Sequence, residues 1–77
     1  MSGSPTIVIS QTKPEAQALA RQHCVPIKWA FGSHHPEYLE GVSATEILVD
    51  KSAETPYKTM AVIHRLRIKG NAELRYV

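Results

Sequence analysis

Thr6-Ile7-Val8-Ile9-Ser10 and Glu46-Ile47-Leu48-Val49-Asp50 share one pattern: an uninterrupted apolar, mostly β-branched run with polar residues at its ends. A strand with one face on water alternates apolar and polar side chains, whereas a strand covered on both faces reads as a solid apolar run. The two stretches therefore predict two central strands of a parallel sheet, the first over residues 5–10. Helices are then required on both faces, and the segments between and beyond these strands must supply them.

Thr12-Lys13-Pro14-Glu15 follows the first strand and combines a capping threonine, a first-turn proline and a glutamate three residues past the cap, which opens a helix. Ala16, Leu19, Ala20 and His23 recur at helical spacing, so the helix is expected over 13–24, with Val25-Pro26 ending it and His23 and Cys24 packed inward. Ile27-Lys28-Trp29-Ala30-Phe31 alternates and predicts a half-buried edge strand. Gly32–Pro36 is a break, Pro36–Glu40 has room for one helical turn, and Gly41 stops it.

Beyond the second central strand, Pro56 suits a first turn and opens a helix over about 55–69. Tyr57, Met60, Ala61, His64 and Ile68 share one stripe, assigned to the core and widened by Val62, Ile63 and Leu66. Gly70-Asn71 is its stop signal, and residues 72–77 alternate as a terminal edge strand. The order is β-α-β-β-α-β. With the solid runs inside and the alternating strands outside, the expected fold is a small Rossmann-like α/β domain, its four-stranded sheet mostly parallel in the order 2-1-3-4 with right-handed crossovers. A ferredoxin-like antiparallel α+β arrangement has the same element order and is the rival. The short third connection leaves one sheet face thinly covered, which favours a partner or a twin subunit.

The chain has 77 residues, 43% of them apolar and 21% charged, which suits one folded domain over residues 1–77. Cys24 is the single cysteine, so no internal disulfide supports the fold and a reducing compartment is expected. Met1-Ser2-Gly3-Ser4-Pro5 lacks the basic and apolar pattern of a signal peptide, and no apolar run reaches the ~18–20 residues that cross a bilayer. A cytoplasmic protein with no membrane partner is the expectation.

In an open parallel sheet the ligand crevice lies beyond the carboxyl ends of the strands where the winding reverses. That position sets Ser10, Gln11, Thr12 and Lys13 opposite Asp50, Lys51 and Ser52, with Ser10, Thr12, Lys13 and Asp50 as candidate ligand-binding residues. A helix amino end beside a lysine and a hydroxyl suits a phosphate-like anion. The structural alternative is that Thr12 is only a cap, Lys13 is solvated and Ser10 ends a strand.

Phe31-Gly32-Ser33, Leu39-Glu40-Gly41 and Ala44-Thr45-Glu46-Ile47-Leu48-Val49-Asp50 together resemble the stretch leading into the Walker B strand of terminase and helicase-type P-loop ATPases. The resemblance implies that Asp50 matches the acidic residue with which that family helps hold magnesium. The chain has no G-x-x-x-x-G-K-[ST] loop, and Lys51 stands where the family usually has a second acidic residue. What the resemblance implies is thus a catalytically silent relative, of a size that suits a phage or mobile-element accessory protein acting on a host protein.

The remaining chemistry-bearing residues form no recognisable constellation. His34 and His35 are adjacent in a loop, His23-Cys24 lacks a C-x-x-C partner, and His64 lies on the stripe assigned to the core, so no metal or cofactor is expected. The carboxylates show no acid-base spacing, and no nucleophile motif is present, which points away from an enzyme. Residues 1–40 carry three basic and three acidic side chains, and 41–77 carry six and four, for a net charge of +2. Lys58, Arg65 and Lys69 share one outer helix face, a candidate protein or nucleic-acid contact or simply a solvated face. The leading expectation is a non-enzymatic interaction module, homodimeric or bound to another protein, with Trp29 and Tyr76 on the edge strands as candidate contacts. The alternative is a phosphate, nucleotide or nucleic-acid binder.

Overall fold

A computed structural model describes residues 6–77. The expectations for Met1–Pro5, including a strand beginning at residue 5, lie outside the described residues. The elements are β1 (Thr6–Ser10), α1 (Lys13–Gln22), a 3-10 turn (Ile27–Trp29), β2 (Ala30–Gly32), a second 3-10 turn (Pro36–Leu39), β3 (Glu46–Val49), α2 (Tyr57–Gly70) and β4 (Glu73–Tyr76). The four strands form one sheet in the order β2-β1-β3-β4. Every pairing is parallel, with Ile7 opposite Ile47, Ile9 opposite Phe31 and Val49 opposite Tyr76. The domain is α/β, and the antiparallel rival is excluded.

The two apolar runs are the central strands, and Ile7, Val8, Ile9, Ile47 and Val49 are almost fully buried. Alternate residues serve different cores. Ile7, Ile9, Ile47 and Val49 pack with Val62, Ile63 and Leu66 of α2, whereas Val8 and Leu48 pack with Ala16 and Ala20 of α1. Since successive strand residues point to opposite faces, the two helices cover opposite sides of the sheet.

Helix termini follow local chemistry. Thr12 caps α1 by accepting from the Glu15 N–H at 3.3 Å, as its cap-and-glutamate pattern predicts. Its carboxyl end is a Schellman motif: the Val25 N–H reaches the Ala20 carbonyl at 2.8 Å and the Cys24 N–H reaches Arg21 at 3.3 Å, with Cys24 left-handed at φ 58°. Asn71 closes α2 in the same left-handed region at φ 52°. Gly70 serves close approach instead, since a Cβ there would lie 2.8 Å from the Ala44 carbonyl oxygen.

Four expectations are corrected. Residues 27–29 form a 3-10 turn and not the start of a strand, because the Trp29 N–H is taken by the Pro26 carbonyl at 3.0 Å and the Ala30 N–H by the Ile27 carbonyl, and β2 begins only at Ala30. Trp29 is accordingly half-buried, touching both cores, and not displayed along an edge strand. His23 and Cys24 are exposed, because the helix ends at Gln22 and the left-handed turn carries them off the apolar stripe. On α2 the core stripe is Thr59, Val62, Ile63 and Leu66, while Tyr57, Ala61, His64 and Ile68 face outward. No helix among the described residues is long and apolar enough to cross a membrane.

Candidate functional site

The carboxyl edge of the sheet brings together the loops after β1, β2 and β3, as the reversal of winding between β1 and β3 requires. Ser10 is fully buried at the end of β1, and its hydroxyl donates to Asp50 Oδ2 at 2.8 Å. Asp50 Oδ1 accepts from the Ser52 N–H at 2.9 Å and the Ser52 hydroxyl at 2.7 Å. The Ser52 hydroxyl and N–H, and then the Ser10 hydroxyl, hold the Asp50 carboxyl below its ordinary value by stabilising the charged form.

The other loops are tied into the same edge. The Ser33 N–H donates to the Ser10 carbonyl at 2.7 Å, the buried Ser33 hydroxyl donates to the Glu54 carbonyl at 2.7 Å, and Thr59 of α2 donates to the Ser33 carbonyl. Gln11 accepts from the Glu54 N–H at 3.3 Å. Gly32 lies beneath the start of α1, where an added Cβ would sit 3.4 Å from the Lys13 nitrogen. Small residues and hydroxyls here let three loops close on one another.

Ser10 and Asp50 are thus brought together as expected, and Thr12 and Lys13 stand beside them at the start of α1. Their polar atoms are largely spoken for. Pro14 has no N–H, the Glu15 N–H goes to the Thr12 hydroxyl and the Ala16 N–H to the Thr12 carbonyl at 2.9 Å, which leaves the Lys13 N–H of the first turn. The Thr12 hydroxyl in turn donates to the Glu15 carboxylate at 3.0 Å, so an anionic group already occupies the positive end of the helix. Lys13 itself is exposed.

The loop histidines do not converge on a ligand set. His35 pairs with Glu37 at 3.3 Å and lies against the Tyr38 ring, and among the described residues no three His, Cys, Asp or Glu side chains come together. The Glu37 carboxyl lies below its ordinary value, chiefly through a backbone hydrogen bond and then through His35.

A second candidate surface is the outside of α2. Tyr57 is 88% exposed and Ile68 83%, with Ala61 and His64 exposed between them on the side opposite Val62, Ile63 and Leu66. Lys58, Arg65 and Lys69 are exposed along one flank, as expected, and Arg65 lies 3.8 Å from Glu40. Tyr76 is 58% exposed at the β4 edge, and Trp29 is partly covered with the Lys28 ammonium 5.4 Å from its ring centre. The uncovered part of the α1 sheet face is mixed: Arg75 pairs with Glu46 at 2.8 Å and Thr6 donates to the same carboxylate at 3.3 Å, beside Val25, Pro26, Trp29 and Leu48. Exposed apolar surface therefore collects on α2 more than on the sheet. The sequence pattern contained that row, but read it as the buried face.

No protein-family model matches the chain, and no curated protein or solved structure matches it.

Proposed function

We propose that this chain is a non-enzymatic cytoplasmic interaction module that engages another protein through the outer face of α2. The observation that carries the reading is the near-complete exposure of Tyr57 and Ile68 on a helix whose opposite stripe already fills the core. Single exposed apolar residues are ordinary, but two large ones aligned on one face with Ala61 between them suit a contact surface. The hydroxyls and carboxylate at the carboxyl edge of the sheet are engaged in closing loops, which gives a phosphate ligand fewer open donors than a helix amino end normally offers. An exposed free thiol at Cys24 accords with a reducing compartment.

The test is capture from cell lysate on the immobilised protein, with and without nuclease, comparing the native chain with Ile68→Asp and Lys13→Glu. The expected result is a stoichiometric, nuclease-resistant protein retained by the native chain and by Lys13→Glu but lost with Ile68→Asp. Retention that disappears on nuclease treatment or with Lys13→Glu would transfer the function to nucleic acid or a phosphate ligand.

A further inference from the structure

Tyr57, Ala61, His64 and Ile68 recur at i, i+4, i+7 and i+11 and form one row over three turns, about 16 Å long. A depression opens at each end of it. One, of about 360 Å³, lies between the Pro36–Leu39 turn and Tyr57, Lys58 and Ala61; the other, of about 450 Å³, is lined by His64, Arg67, Ile68 and Asn71. Helical geometry sets Lys58, Arg65 and Lys69 along one flank of the row and Met60 and Arg67 along the other. Residues 57–70 include no aspartate or glutamate. Two carboxylates, Glu37 and Glu40, line the first depression beside Lys58 and Arg65; Glu40 approaches Arg65 at 3.8 Å and Glu37 is paired with His35 at 3.3 Å, so the four cations of the helix leave the face with a positive excess.

On the premise that this face is a protein contact, we propose that its occupant is an acidic amphipathic helix of a partner protein. The partner's apolar row seats on Tyr57, Ala61, His64 and Ile68, and its flanking carboxylates meet Lys58 and Lys69 on one side and Arg67 on the other. Charge decides between this occupant and a second copy of the chain. In an antiparallel α2–α2 pair each flank meets its own counterpart, and in a parallel pair it meets the opposite flank. Both flanks keep a net positive charge once Glu37 and Glu40 are counted, so either geometry sets like net charges against each other. Nucleic acid fits less well, because three of the four residues of the row, Tyr57, Ala61 and Ile68, set largely apolar side chains along the face, and a phosphate chain following it would lose hydration against Ile68 without gaining a partner there.

The probe is a fluorescein-labelled helical peptide of about 18 residues with leucines in an i, i+4, i+7 row and glutamates on both flanks, beside a twin in which each glutamate is lysine. Anisotropy with the full chain should show binding of the glutamate peptide that weakens as salt rises, and binding of the lysine twin at least about tenfold weaker. Ile68→Asp should lose the glutamate peptide, and the double variant Arg67→Glu, Lys69→Glu should invert the preference, both with unchanged thermal melts. Failure of the glutamate peptide to bind, equal binding of the twins, or a native dimer that Ile68→Asp dissolves would each overturn the inference. If Ile68→Asp still loses its protein partner from lysate while the glutamate peptide does not bind, the acidic helix falls and the interaction-module reading stands. If Ile68→Asp keeps every partner, the module reading at this face falls as well.

Discussion

Asp50 shows how a residue placed where a ligand would be held can be used up by the fold. Its two oxygens accept from Ser10 on one side and Ser52 on the other, joining the end of β1 to the loop after β3. Replacing it with alanine removes three acceptor contacts and leaves the buried Ser10 hydroxyl without its partner, a loss of about 1–3 kcal/mol in urea denaturation at neutral pH. The pH dependence has a definite sign. Because the folded carboxyl titrates below the ordinary 3.8, its contribution is fully present above that value and is lost as pH falls through the lowered folded one. The stability difference between the native chain and Asp50→Asn should therefore narrow on acidification below pH 3.8; a difference unchanged across that range would mean that the charge has no part in it. Cys24 is the converse, a residue at odds with its backbone. At φ 58° its Cβ is crowded, its thiol is exposed, and Cys24→Gly should raise stability by about 0.5–1 kcal/mol, read as a higher melting temperature. A glycine variant that melts no higher would show that the thiol contributes packing after all.

Among the elements, α2 separates what is legible in a sequence from what is not. Its start and stop were readable from Pro56 and Gly70-Asn71, yet which face is buried was not. Tyr57, Met60, Ala61, His64 and Ile68 make as convincing an apolar stripe as Val62, Ile63 and Leu66, and periodicity alone cannot say which one meets the sheet. The choice is made by tertiary partners: Thr59 reaches the Ser33 carbonyl and Gly70 lies against Ala44, which pins both ends of the helix with Val62, Ile63 and Leu66 inward. The two stripes should therefore respond oppositely to mutation. Ile63→Ala is expected to cost about 2–5 kcal/mol by opening a cavity, whereas Ile68→Ala should stay within about 0.5 kcal/mol of the native chain. Comparable losses at the two positions, by chemical denaturation, would mean that the exposed row is covered in solution. The 27–31 segment was misread for a related reason. Alternation of Ile27, Trp29 and Phe31 is a strand signal, but the 3-10 turn in which the Pro26 carbonyl takes the Trp29 N–H delays the ladder until Ala30. At the candidate site, juxtaposition of Ser10 with Asp50 followed from topology and the engagement of Thr12 by Glu15 from the local cap pattern, whereas the closure of Ser52 on the Asp50 carboxylate depends on side-chain positions that strand order does not specify.

For the molecule as a whole, the order β2-β1-β3-β4 was recoverable because burial on both faces leaves a visible mark on composition: the two solid runs had to be inside and the alternating segments outside. The same arrangement has a consequence for cooperativity. The α1 core and the α2 core are separate clusters, but they are built on alternate residues of the same strands, Val8 between Ile7 and Ile9, and Leu48 between Ile47 and Val49. Loss of either helix would bare one face of both central strands and loosen the backbone that positions the other cluster, so neither half has a core of its own to fall back on. Trp29, the single tryptophan, packs against both clusters and reports on both at once. Its fluorescence and the far-ultraviolet circular dichroism of the helices should therefore give the same urea midpoint and the same slope, as one two-state transition requires. A tryptophan transition that preceded the loss of helix would show that the smaller α1 cluster, built on Ala16 and Ala20, opens by itself while α2 remains docked.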